Sequence, residues 1–208
     1  MIGASQAAEF ARCIARGGLV LFPADTVYGL AADPESEAAV QRLYELKGRP
    51  PDQPAAVMFF QLQAALAALP QLGERTRAAL GRLLPGAVSV LVPNPGRRFP
   101  LACGPEPERL GLRVPELPAR LESLSEVALP VLQSSANRSG ETDARRLEDV
   151  DQEIRDGADL AIDGGELPGT PSTVIDLTRF EADGRFAVLR EGAVEATEVA
   201  RTLGTVSA

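Results

Sequence analysis

The chain is 208 residues long and 45% hydrophobic, enough to bury a sizeable core; with aromatics at only 4% and no tryptophan, that core is expected to be aliphatic. It has no histidine, which excludes histidine base catalysis, His-ligated zinc and a Ser-His-Asp triad, and its two cysteines, Cys13 and Cys103, give neither a disulfide framework nor a metal-ligand spacing. The formal net charge of -8 is the reverse of a global nucleic-acid footprint, although a local cationic pocket depends on how charge is distributed.

Ser5 is placed to cap a first helix that contains Ala8, Phe10, Ala11 and Ile14 and ends at Gly17-Gly18. Residues 19–22 are a short apolar run bounded by Gly and Pro, which predicts a buried strand. A loop, Pro23-Ala24-Asp25-Thr26-Val27-Tyr28-Gly29-Leu30, leads to a helix with Asp33 at the N-cap and Pro34 in the first turn. Val40, Leu43 and Leu46, with Ala39, form its apolar stripe, Lys47 falls in its last turn and Gly48 is its C-cap.

Residues 55–60 read as a strand, 61–69 as a helix stopped by Pro70, 74–84 as a helix closed by Pro85-Gly86, and 87–92 as a Val-rich strand. Residues 94–108 read as a Pro- and Gly-rich loop carrying Arg97 and Arg98. A short strand follows over 111–115, with Arg113 between apolar neighbours, then a helix over 118–127 and an apolar strand over 129–133 that runs into Ser134-Ser135-Ala136-Asn137. A charged helix is expected over 145–156, a strand over 160–162, a hairpin pair from 172–177 and 186–189, and a terminal helix over 195–203. Helices and strands alternate for most of the chain, which predicts a three-layer α/β domain with a mixed sheet. No repeat, low-complexity tract or linker divides it, so residues 1–208 are expected to form one domain. No apolar run approaches membrane-spanning length and the N-terminus lacks a signal-peptide pattern, so a cytoplasmic setting without membrane attachment is expected.

Chemistry is suggested at two places. Lys47 and Arg49 would point in nearly opposite directions on a continuous helix. If the helix stops at Gly48 and Pro50 holds Arg49 extended, both cations can turn toward one polyphosphate or carboxylate; the alternative is an ordinary helix end with solvated charges. Ser135 and Asn137 share one face of an extended segment at the carboxyl end of a strand, where open α/β sheets bind ligands, or they satisfy their own turn. Arg113, between two apolar residues of its strand, and Arg190, at the end of another, are ligand contacts or surface ion bridges. Without a Walker A motif or G-x-G-x-x-G, any nucleotide site must be built from side-chain cations and hydroxyls.

In order and spacing these elements resemble the YrdC-type L-threonylcarbamoyladenylate synthase family, in its short form without an extra C-terminal domain. The resemblance runs through Pro23 to Leu30, Lys47-Gly48-Arg49, Pro85-Gly86, Leu112-Arg113-Val114-Pro115, Ser135-Ala136-Asn137 with Ser139-Gly140, Ser172-Thr173-Val174 and Arg190-Glu191-Gly192, so it covers residues 17–194. It implies a twisted mixed sheet flanked by helices around a cationic cavity. The implied reaction joins L-threonine, bicarbonate and ATP into threonylcarbamoyl-AMP and pyrophosphate, with Mg²⁺ accompanying the ATP. The product would pass to tRNA threonylcarbamoyl-transfer proteins, so that tRNA is reached only indirectly. By the same resemblance Lys47 and Arg49 are the catalytic cations, Arg49, Ser135, Asn137 and Arg190 bind ATP, and Thr26, Arg113 and Ser172 bind L-threonine. Ala24 stands where the family often has Thr, Met58 near where many members have a His that contacts threonine, and Thr142-Asp143-Ala144-Arg145 where Pro-Thr is usual. These departures touch the amino-acid pocket and the nucleotide rim. They keep open a related carbamoyl-adenylate enzyme with another amino acid, or a YrdC-like RNA-binding module without catalysis.

Overall fold

The computed structural model describes residues 1–204. Helix α1 (Ala4–Ala15) leads into strands β1 (Val20–Pro23) and β2 (Tyr28–Ala32), then helix α2 (Glu37–Lys47) and strand β3 (Ala56–Met58). Helices α3 (Leu62–Ala68) and α4 (Glu74–Leu83) precede β4 (Val88–Pro93), a short α5 (Pro100–Cys103) and β5 (Arg109–Arg113). A 3-10 segment (Ala119–Glu126) leads to β6 (Val131–Ser135), and a second 3-10 turn (Leu147–Asp149) to α6 (Gln152–Gly157) and β7 (Leu160–Ala161). The chain closes with β8 (Thr173–Asp176), α7 (Phe180–Asp183), β9 (Ala187–Arg190) and α8 (Ala196–Leu203).

Among the described residues these strands form one mixed sheet, flanked by helices, in the order β7-β1-β2-β6-β3-β5-β4-β8-β9. The pairs β1/β7, β3/β5 and β4/β8 are parallel, and the others, including the expected β8/β9 hairpin pair, are antiparallel. No helix among the described residues is long and apolar enough to cross a membrane.

Several local expectations change. Residues 28–32 form a strand, not a loop, so β1 and β2 make a hairpin. Gly and Ala are weak strand formers, but β2 lies against β6, where a Cβ on Gly29 would sit 2.7 Å from Gln133 Nε2 and 3.2 Å from the Ser134 carbonyl oxygen. Helix α2 starts later than expected: Ser36 Oγ accepts from the Ala39 amide at 3.3 Å, while Asp33 caps the preceding turn through the Glu35 amide. The charged helix over 145–156 is broken, because Val150 turns into the core and Asp151 caps a new helix at the Glu153 amide. The 94–108 loop contains α5 and is organised around buried Asn94, whose side-chain amide donates to the carbonyls of Arg98 and Pro107 at 2.9 Å each. The core is mainly aliphatic, yet Phe10, Phe22 and Phe60 meet edge to face, with ring centres 5.1–6.3 Å apart, and fasten α1 to the sheet.

Alternation then defines a working face. In β4 the buried residues are Val88, Val90 and Val92, which leaves Ser89 and Leu91 on the other side. In β5 Leu110 and Leu112 face the core, leaving Arg109, Gly111 and Arg113; in β8 Thr173 and Ile175 are buried, leaving Val174 and Asp176. The side chains left over on these three adjacent strands share one concave surface.

Candidate active site

That surface encloses a cavity of about 420 Å³. Its wall takes Arg49, Ser134, Ser135, Arg113, Ser172 and Arg190 from five different segments, together with Val27, Ala56, Ser89, Leu91, Cys103, Glu106, Arg109, Asp143 and Val174. Of the residues singled out in the sequence, Arg49, Arg113, Ser135, Ser172 and Arg190 line the cavity. Lys47, Asn137 and Thr26 do not; they stand behind its wall.

Arg49 owes its position to the end of α2. Gly48 takes the left-handed conformation (φ 59°) that a Cβ would strain, and the Arg49 amide returns to the Tyr44 carbonyl at 2.9 Å. The guanidinium lies 5.6 Å over the Tyr44 ring and donates to Ser134 Oγ at 3.3 Å and to the Pro54 carbonyl. Burial lowers its pKa from the ordinary arginine value.

Lys47, the only lysine in the chain, is expected to share this direction, but it is 2% exposed and its ammonium is turned to protein oxygens. It donates to the carbonyls of Ser135 and Asn137 and, at 3.2 Å, to Asn137 Oδ1. Ser135 Oγ in turn donates to Asn137 Oδ1 at 2.6 Å. The helix ended as expected; the ammonium, however, reached the strand-end turn first, because β6 brings three acceptors within its range. Burial and the nearby Arg49 charge push its pKa down to about 8, against an opposing pull from Asp143.

Arg113 is 4% exposed and held on three sides. Nη2 donates to Asp25 and, at 2.6 Å, to Thr26 Oγ1; Nη1 donates to Ser172 Oγ at 3.2 Å. Asp25 is completed by the Glu116 amide at 3.1 Å. Sequence reading missed Asp25 as the internal counterion, although it directly precedes Thr26. The Nε atoms of Arg49, Arg109 and Arg113 are buried without a partner, and all three arginines line the cavity. An unpartnered buried N–H is uncommon, so these three guanidinium groups are the least satisfied donors near the cavity. Arg190 donates to the Ser172 carbonyl at 2.7 Å, which ties β9 to the same wall. Met58 is fully buried and absent from the cavity wall. Sequence reading also missed Arg109, Glu106 and Cys103, and it noted Asp143 only within a departure from the family pattern.

The carboxylates on the wall bear on magnesium. Glu106 is taken up by Arg109 at 2.8 Å, while the charge of Asp143 reaches Lys47. Asp143 therefore fits as one oxygen ligand for a hard cation that arrives with a polyphosphate.

Comparison with known proteins gives a consistent family. Residues 12–192 match the profile of the Sua5/YciO/YrdC family, described as "Telomere recombination". The chain is similar to threonylcarbamoyl-AMP synthase of Chromohalobacter salexigens, with 36% identity over 86% of this chain and 96% of that protein. It is also similar to threonylcarbamoyl-AMP synthase of Pyrococcus abyssi, with 31% identity over 93% of this chain. The crystal structure of P. abyssi Sua5 complexed with L-threonine superposes with a TM-score of 0.84 at 28% identity, over 98% of this chain. The chain spans only a little over half of the P. abyssi protein, 56% in the sequence comparison and 59% in the structural one.

Proposed function

Because the chain belongs to the Sua5/YciO/YrdC family, we propose that it acts as an L-threonylcarbamoyladenylate synthase, a nucleotidyltransferase that supplies threonylcarbamoyl-AMP to tRNA threonylcarbamoyl-transfer proteins. The amino group of L-threonine attacks bicarbonate carbon and water leaves, giving a carbamate. A carbamate oxygen then attacks the α-phosphorus of ATP, and the bond to pyrophosphate breaks. Neither step needs a histidine. Both need the reacting groups held in line and the negative charge on the departing pyrophosphate neutralised.

The observation that carries this reading is Arg113. A buried guanidinium on a strand at the cavity wall, fixed by Asp25, Thr26 and Ser172 and with donor capacity left over, suits the carboxylate of a small amino acid. Thr26 acts by orienting Arg113, and Ser172 lines the amino-acid end. Arg49 and Arg190 face the phosphates with Ser135. Lys47 and Asn137 are positioning residues that hold the Ser135 turn. Asp143 is the wall carboxylate that would offer an oxygen to a Mg²⁺ bound with ATP, which would supply charge neutralisation at the phosphates.

The test is calorimetric titration of L-threonine, serine and valine with ATP and bicarbonate present. Threonine is expected to bind tightest, and Arg113→Lys is expected to raise the threonine requirement far more than the ATP requirement. Equal affinity for valine and threonine would remove the threonine assignment.

A further inference from the structure

Gln133 is a buried polar side chain on the cavity wall that the synthase reading does not use. It is 6% exposed, and its amide makes no hydrogen bond to any described residue. A buried amide with donor and acceptor both unmet is uncommon, and the open space beside this one is the cavity. The sheet makes room for it. Its cross-strand partners are Ala31 on β2 and Ala56 on β3, and Ala56 is followed by Gly111 on β5. Its Nε2 lies over Gly29, 2.7 Å from where a Cβ would stand. Larger residues at these places would push the amide aside or fill the space in front of it.

Gln133 also stands between the two ends of the cavity. Ser135 is two residues on along the same face of β6, about 7 Å away, at the phosphate end where Arg49 bonds Ser134. Arg113, at the amino-acid end, is two strands across and two residues along, roughly 12 Å away. The group that links amino acid to α-phosphate must lie between those ends. Bicarbonate offers a hydroxyl donor and an oxyanion on one edge, and the carbamate formed from it offers an N–H and an oxygen; a primary amide pairs with either edge. Being neutral, it orients the carbamate without drawing charge from the oxygen that must attack phosphorus, as a cation there would. We propose that Gln133 is the residue that binds bicarbonate and then holds the carbamate, through the donor and acceptor of its side-chain amide. This rests on the synthase reading for the identity of the one-carbon substrate.

The experiment follows pyrophosphate release with ATP and threonine saturating and bicarbonate varied in carbonate-depleted buffer, alongside separate calorimetric titrations of threonine and ATP. In Gln133→Leu, which keeps most of the volume and removes the amide, the bicarbonate KM is expected to rise at least tenfold, about the worth of two lost hydrogen bonds. Threonine and ATP should bind within about twofold of the unmutated chain. Gln133→Glu sets a like charge against bicarbonate and should raise its KM further. Gln133→Met serves if circular dichroism shows the leucine variant unfolded. An unchanged bicarbonate KM in a folded apolar variant, or a loss of threonine or ATP affinity as large as the bicarbonate effect, would overturn the assignment. Pyrophosphate release from the unmutated chain that does not depend on bicarbonate would instead remove the synthase reading, and the role of Gln133 with it.

Discussion

Arg49 is the residue whose loss separates chemistry from folding most cleanly. It follows α2, its contacts are with Tyr44, Ser134 and the Pro54 carbonyl at the cavity wall, and it plugs no core space. Arg49→Ala is expected to lower adenylate formation roughly 100- to 1000-fold, the usual effect of removing one donor from developing charge, with an unchanged circular dichroism spectrum; near-normal turnover would contradict its role. Lys47 makes a pH prediction. Its folded pKa is about 8, below the ordinary 10.5, so between those values the unfolded chain holds more protons and the stability contribution of this group rises with pH. Function should go the other way, because a neutral amine holds the Ser135–Asn137 turn with fewer donors. Since the chain has no other lysine, ¹⁵N-lysine NMR shows a single side-chain titration, expected with a midpoint near 8 and a parallel fall in turnover; a midpoint near 10.5 would contradict the buried setting. The cation pair and the Ser-x-Asn turn were legible in the sequence as residues, but which cation faces the cavity was not. That choice depends on β6 lying within reach of the end of α2.

At the level of elements, the apolar runs bounded by Gly and Pro were readable, because burial on both faces needs no alternation: β1 is buried at every position. Strand β2 was not, because Tyr-Gly-Leu-Ala-Ala lacks β-branched residues and its glycine serves a close approach rather than a turn. Gly29→Val tests this. Its side chain would press on Gln133 and the Ser134 carbonyl, and overpacking of this kind costs about 1–3 kcal/mol, or a melting temperature lower by several degrees in a chain of this size. Turnover should fall as well, because the displaced segment carries Ser134 and Ser135. A variant with unchanged melting temperature would show that β2 and β6 can separate freely. Helix α2 makes a smaller prediction: Ser36→Ala should cost about 1 kcal/mol by thermal melting and Asp33→Ala less, since Ser36 holds the cap.

For the whole molecule, acidic residues outnumber basic ones, 29 to 21, yet Arg49, Arg109, Arg113 and Arg190 converge on one cavity. The alternation of helix and strand foretold an α/β domain with a mixed sheet. Strand order was hidden, because β6 inserts between β2 and β3 and β4 between β5 and β8, pairings that no local pattern encodes. Cavity residues that depend on those pairings were hidden with them, as for Arg109 and Asp176, which meet across 67 positions of sequence. The central claim is that this cavity makes a threonylcarbamoyl adenylate. Its most direct test is to incubate the purified chain with ATP, Mg²⁺, ¹³C-bicarbonate and each amino acid in turn, and to follow nucleotides by mass spectrometry alongside pyrophosphate release. The expected result is one ¹³C-labelled threonylcarbamoyl-AMP per pyrophosphate, with threonine and not with valine. Pyrophosphate release that does not depend on the amino acid, or no labelled adenylate with any of them, would contradict it.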